Sequence, residues 1–267
     1  MNPQHHIGTL ILLLCLALPV AVHAQTSPNE VYDWTGIGRL IWAVAVGVTL
    51  VLLVSGTLGG KRRISLRLEA LKRIAAAHEL EFSKLDPVGV FDKFPQLDFF
   101  QRYDMRDAHN VICGKARNRN VYAFDCECMN FVPDTEPKKL VYWFSVATAD
   151  LDGALPPVWL RPPKALEQLK DSMGIREIAF ESGSFNSRFQ ILASDREVAF
   201  DVVNPQVMQL LLDAPFDYVQ FQGAHVAVFS KQLWTPEQFE VAVDLVPKLA
   251  EGIPHYLWAK VKERGLV

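Results

Sequence analysis

Residues 109–131 read HNVICGKARNRNVYAFDCECMNF. Two runs rich in β-branched and aromatic residues flank Ala116-Arg117-Asn118-Arg119-Asn120, and asparagine tolerates turn geometry. The spacing predicts a β-hairpin with a two-residue turn at Arg117-Asn118. That register sets Cys113 opposite Tyr122 and about four residues, roughly 13 Å, along the ladder from Cys126. Downstream, residues 139–147 predict another strand and Val158-Trp159-Leu160 a short one. Arg161-Pro162-Pro163 breaks the chain, and residues 164–173 can form a short helix. Residues 177–181, 186–192 and 197–203 read as strands, and 217–222 with 225–230 as a hairpin around Gly223-Ala224. Strands in hairpins, rather than alternating with helices, point to α+β with antiparallel sheet.

Helix signals punctuate this pattern. Asn204-Pro205 combines a good N-cap with a residue pre-set for the first helical position. Thr235-Pro236-Glu237-Gln238 repeats that logic and completes a capping box. The last helix breaks near Gly252 and Pro254. Residues 64–79 read as an amphipathic helix, with Leu66, Leu68, Leu71, Ile74 and Ala75 as apolar positions. The aromatic segment 88–103 carries Phe91, Phe94, Phe99, Phe100 and Tyr103 without a helical period, and Pro95 argues against one. Core packing is its expected use, with a partner surface or lipid contact as the alternative.

Two apolar runs precede the hairpins. Residues 7–22 run into Val22-His23-Ala24 before Gln25, which matches a signal-peptidase pattern. Residues 1–24 are therefore expected to be a signal peptide, or alternatively a retained helix, with residues 25–39 as a short periplasmic segment. Residues 40–60 hold no charge and have about the length needed to cross a ~30 Å core. One transmembrane helix is expected there. Lys61, Arg62 and Arg63 follow it, within a stretch that also holds Arg67, Lys72 and Arg73, whereas Arg39 is the basic residue before it. This asymmetry sets residues 61–80 as a basic juxtamembrane helix and 81–267 as a cytoplasmic domain of a bacterial inner-membrane protein. Lys61, Arg62 and Arg63 form the candidate lipid-facing flank, and the lipid bilayer and other membrane proteins are the expected partners.

The chain is 50% hydrophobic and 10% aromatic, so a sizeable core is available. Residues 74–267 hold 20 of the 27 basic and 27 of the 30 acidic residues. That mild acidity argues against a non-specific nucleic-acid grip. Phosphate-binding glycine loops, H-E-x-x-H and G-x-S-x-G are missing. Ser182 and Ser184 lack the second glycine of a nucleophile elbow and read as a turn between strands. Cys126 and Cys128 share one strand face, and Cys113 lies too far for a disulfide. Buried packing is their expected role, against zinc or redox use. His78, His109, His225 and His255 are widely spaced. Asp150-Leu151-Asp152-Gly153 lacks the remaining ligands of a calcium loop and reads as a turn. The basic tip Lys115, Arg117 and Arg119 reads as a solvated turn. No catalytic residue, cofactor or metal is assigned.

Phe180-Glu181-Ser182, Phe185-Asn186-Ser187-Arg188-Phe189 and Ala199-Phe200-Asp201-Val202-Val203-Asn204-Pro205-Gln206-Val207-Met208 together resemble a family of bacterial membrane-anchored proteins of unknown function. The similarity extends over residues 74–257 and includes Ile253-Pro254. It implies an anchored architecture and transfers no activity or site residue. The sequence thus favours a membrane-tethered interaction or scaffold module. A membrane-associated enzyme with a dispersed site, and a lipid or small-ligand binding domain, stay open as alternatives.

Overall fold

A computed structural model describes residues 34–95, 97, 100–132, 138–163 and 176–266. The signal-peptide segment 1–24 and the expected helix at 164–173 lie outside them. The chain divides into two units, Met1–Gly59 and Gly60–Val267. In the first unit the described residues are helical. They belong to α1, Trp34–Ala77, 44 residues long. α1 includes Lys61, Arg62 and Arg63, and Arg62 and Arg63 are exposed on it.

The expectation of a transmembrane helix over 40–60 is corrected here. Among the described residues no helix is long and apolar enough to cross a membrane. The single-pass inner-membrane placement, and the cytoplasmic side assigned from it, lose their basis with it. The α+β class with an antiparallel sheet stands.

The second unit is built on a seven-stranded antiparallel sheet. Its strands are β1 (Glu81–Leu85), β2 (Met105–Ala116), β3 (Arg119–Val132), β4 (Lys138–Arg161), β5 (Arg176–Ile178), β6 (Gln190–Ala193) and β7 (Tyr218–Phe229). The path β1-β2-β3-β4-β6-β5 is completed by β7 on β4. β4 organises the sheet. β3 pairs with residues 138–149, β6 with 158–161, and β7 with the opposite edge from Val146 to Leu160. The short strand expected at 158–160 is therefore the end of a 24-residue strand. The Asp150–Gly153 segment, read as a turn, lies inside it, where the pairing with β7 shifts register. Residues 217–222 and 225–230 do not fold on each other. Gly223, at φ 56°, makes an irregularity in one strand, β7, that follows β4.

The β2–β3 hairpin forms as expected, with Cys113 opposite Tyr122. Arg117 and Asn118 close it at φ 51° and 61°, the two positive values a tight hairpin turn requires. Asn110, at φ 53°, marks a bulge between His109 and Ile112.

Residues 183–213 depart most from expectation. Residues 186–192 are the end of α3 (Gly183–Arg188) followed by β6, and 197–203 are helical as α4 (Arg196–Val202). Caps decide both helices. The Ser182 hydroxyl accepts from Phe185 N, and the Asp195 carboxylate accepts from Val198 N. Val198, Ala199 and Val202 then bury one helical face, although Val198, Phe200 and Val202 also fit an alternating strand over the same seven residues. Ser182 and Ser184 accordingly begin a helix instead of joining two strands.

α5 (Pro205–Asp213) starts where Asn204 predicts. The Asn204 side chain accepts from Gln206 N and Val207 N at 3.0 and 3.1 Å, and donates to Gly252 O at 2.7 Å. It therefore caps one helix and ties it to the end of another. Asn204→Ala is expected to lower the unfolding free energy by about 1–2 kcal/mol, read by urea denaturation. Asn204→Asp, which keeps the caps and loses the Gly252 bond, should fall between the two. Equal stability of all three proteins would refute this role.

The sheet carries a core on each face. One face holds Ile112, Val121, Ala123, Ala147, Ala149, Val158, Val219 and Phe221. α6 (Pro236–Glu251), begun by the Thr235 capping box, packs there with Phe239, Ala242, Val243 and Val246. α7 (Tyr256–Glu263) follows the break at Gly252. The alanines bring helix and sheet close, and a Cβ at Gly153 would stand 2.9 Å from the Trp258 ring. The other face holds Phe124, Cys126, Cys128, Val146, Trp159 and Leu192. It is covered by Val90 and Phe94 of the segment containing α2 (Val90–Lys93), with Leu97 and Phe100. The aromatic segment is thus spent on the core, as expected.

Candidate functional site

The residues weighed for chemistry do not assemble. Cys113, Cys126 and Cys128 are free and buried, and burial pushes the Cys126 thiol well up, with the neighbouring Cys128 and Asp125 adding to it. A thiol held neutral in this way is a poor nucleophile or ligand. His109 lies 3.6 Å from Glu127 and stacks on Trp143, whereas His225 lies 3.5 Å from Asp150 and meets Phe94 edge-on. Burial lowers the His225 pKa against the pull of Asp150. Among the described residues no group of three His, Cys, Asp or Glu is placed to hold a metal. At the hairpin tip Arg117 pairs with Glu251 and Arg119 with Asp152, so two of its three charges are already met.

A groove of about 730 Å³ opens elsewhere, lined by residues between Ala179 and Leu212. It lies within the stretch that carries the family resemblance. α3, α4 and α5 build it, and the chain turns between them position its walls. The Asn186 side chain brackets Phe180 through both its backbone N–H and its carbonyl. This fixes Phe180 against Phe185 and Phe200, with ring centroids 6.1 and 4.6 Å away. Phe185 and Phe189 are buried beneath, while Phe200 remains partly exposed. Met208 and Leu212, one turn apart on α5, extend the apolar wall.

The rim is polar. Ser182, Ser184, Glu181 and Gln209 border it, and the Arg196 guanidinium stands 5.4 Å over the Phe200 ring. The Ser182 and Ser184 hydroxyls lie 3.2 Å apart with no histidine among the groove residues to activate either. The arrangement therefore offers an apolar wall, two hydroxyls and a cation, a binding surface without a nucleophile–base pair. Sequence reading missed this site because it assigned α4 and the end of α3 as strand. The cap residues Ser182 and Asp195 were the signal that could have revealed them.

No protein-family model matches the chain, and no curated protein matches it by sequence. Among solved structures, the crystal structure of the mycobacterial trehalose monomycolate transport factor A, TtfA, is similar in fold, with a TM-score of 0.51 at 13% identity. The match covers 70% of this chain and 96% of that one. At this identity the likeness extends to the fold and no further.

Proposed function

We propose that the folded unit binds an amphiphile, an apolar chain with a polar or acidic head, in the groove between α3, α4 and α5. The observation that carries this reading is the groove itself. Its volume suits a ligand of moderate size. Phe180, Phe200, Met208 and Leu212 suit a hydrocarbon chain, and Arg196 with the two serines suits a head group. The fold it shares with a protein named for trehalose monomycolate transport supports a lipid as the ligand class.

Titration of the purified protein with a fluorescent long-chain fatty acid tests it. Saturable binding is expected, weakened at least tenfold in Phe200→Asp, which puts a charge into the apolar wall, and several-fold in Arg196→Gln. Equal affinity in all three proteins would sink the proposal.

A protein-interaction module is the second reading. The end of the β3–β4 pair favours it: Phe131, Leu140, Val141, Tyr142 and Trp143 are exposed on consecutive positions and both strand faces. Such surfaces suit a partner. This reading takes precedence if the fatty acid does not bind.

A further inference from the structure

On the sheet face away from α6, β4 and its neighbours β6 and β7 bring unusual polar residues together. Arg161 of β4 is paired in register with Gln190 of β6, and Trp159, two residues back on the same face, with Gln220 of β7. Arg161 is only 5% exposed and Gln220 fully buried. Arg161 Nε, Gln190 Oε1 and Gln220 Oε1 are all buried without a hydrogen-bond partner. Among the described residues no carboxylate pairs with Arg161. Instead burial, and then the charge of nearby Arg102, work against its cation, with Tyr218 opposing them.

A buried guanidinium is normally matched by an anion, and a buried amide oxygen by a donor. Here the unmatched cation and one unmatched acceptor, Arg161 and Gln190, are directly opposed, with Cβ atoms about 5 Å apart, and the second acceptor, Gln220, lies diagonally across the other edge of β4, about 7–8 Å from Arg161. The Gln220 Nε2 donates to Gln222 Oε1, which leaves the Gln220 oxygen as the free end. The missing complement is a group that accepts from a planar fork of N–H donors and also carries an O–H. Gln190 and Tyr218 are half-buried and form the open side, where Lys231 Nζ stands 5.2 Å over the Tyr218 ring.

We propose that Arg161, Gln190 and Gln220 form a binding site for hydrogen phosphate or a phosphate monoester. The guanidinium binds two phosphate oxygens, as its geometry favours, and the O–H of hydrogen phosphate, or of a monoester in its singly protonated form, donates to an amide oxygen. Sulfate has the same shape and carries no proton at neutral pH, so it leaves both amide oxygens unmatched. This site is separate from the groove of α3–α5 and stands or falls without it.

The test is calorimetric titration of the full chain, in phosphate-free buffer at constant ionic strength, with inorganic phosphate, glycerol 3-phosphate and sulfate. Saturable binding of the first two is expected, with sulfate at least tenfold weaker. Arg161→Met should lose phosphate binding at least tenfold without melting earlier in phosphate-free buffer, because it removes an unmatched charge. Gln220→Leu, which keeps the arginine, should narrow the preference for phosphate over sulfate and carries the test if the Met variant fails to fold. Co-sedimentation with phosphatidylcholine vesicles containing phosphatidic acid, lost in Arg161→Met, assigns the phosphate to a lipid head group. Binding of the soluble esters alone assigns it to a free metabolite. Phosphate binding unchanged by Arg161→Met, equal binding of phosphate and sulfate, or no binding of either would overturn the proposal. Phe200→Asp should leave phosphate affinity unchanged, which separates this site from the groove.

Discussion

Asp125→Ala is expected to cost about 3–5 kcal/mol of unfolding free energy, because it strands a charge that the fold has enclosed. Asp125 is 1% exposed on β3 and accepts from three elements. Arg67 of α1 donates to it through two nitrogens at 2.7 and 3.0 Å, Asn110 of the β2 bulge at 2.8 Å, and the Ser145 hydroxyl of β4 at 2.5 Å. Alanine removes every one of these acceptors and leaves the Arg67 guanidinium over the Phe239 ring, 5.5 Å from its centroid, without its anion. For a unit of this size the loss corresponds to roughly a 10 °C fall in Tm. The double variant Arg67→Met/Asp125→Leu removes both charges and should be more stable than Asp125→Ala alone. Urea denaturation of the three proteins decides it, and a loss below about 1 kcal/mol for Asp125→Ala would show that the ion pair is not the link between α1 and the sheet.

Trp234→Ala should be comparably severe, at about 3–5 kcal/mol. Trp234 is 1% exposed between β7 and α6. Its ring meets Phe216 at 4.7 Å and Phe239 at 5.4 Å, and its indole N–H donates to the Ser230 hydroxyl at 2.8 Å. Its backbone belongs to the same polar centre: Trp234 N donates to Ser145 Oγ at 2.9 Å, and Arg67 donates to Trp234 O. Alanine keeps those backbone groups but withdraws the ring from Phe239, over which Arg67 stands, so the effects of Trp234→Ala and Asp125→Ala share these neighbours and the double variant should lose less than the sum. Trp234→Phe keeps most of the packing and forfeits the Ser230 bond, for about 1 kcal/mol. Strict additivity, measured in the same denaturation series, would contradict a single coupled centre.

Several elements were legible in the sequence because their determinants are local. The turn at Arg117-Asn118 sets its own hairpin, so the pairing of Cys113 with Tyr122 follows from counting along two strands. Asn204, Thr235 and Gly252 act on backbone groups within a few residues, and each marks a helix boundary where expected. The cysteines were legible for a similar reason, since alternation puts Cys126 and Cys128 on one face and residue type favours burial. The helix of residues 196–202 was not legible from its pattern. Over seven residues, apolar positions compatible with a strand are also compatible with two helical turns, and the Asp195 cap decides between them. The apolar run at 40–60 suggested a span by composition alone, whereas the described residues carry no helix long and apolar enough for one.

By itself, then, the sequence determined the α+β class, the first hairpin, the helix caps at Asn204 and Thr235 and the inward fate of the aromatic segment. All of these depend on residues close in the chain or on a side chain's preference for burial. Tertiary structure alone decided which strand β7 would follow, since Gly223 permits either a turn or a kink and only the length of β4 offered the twelve-residue β7 a partner from Val146 to Leu160. It alone placed Asp125 under Arg67, 58 residues away. It alone set Arg161 beside Gln190, and Gln220 on the adjoining row. A charge or an amide becomes unusual only when burial removes its water, and burial is a property of the packed sheet. The hairpin at 109–131 could announce its own pairing, but it could not announce that its Asp125 would become the anion of the core.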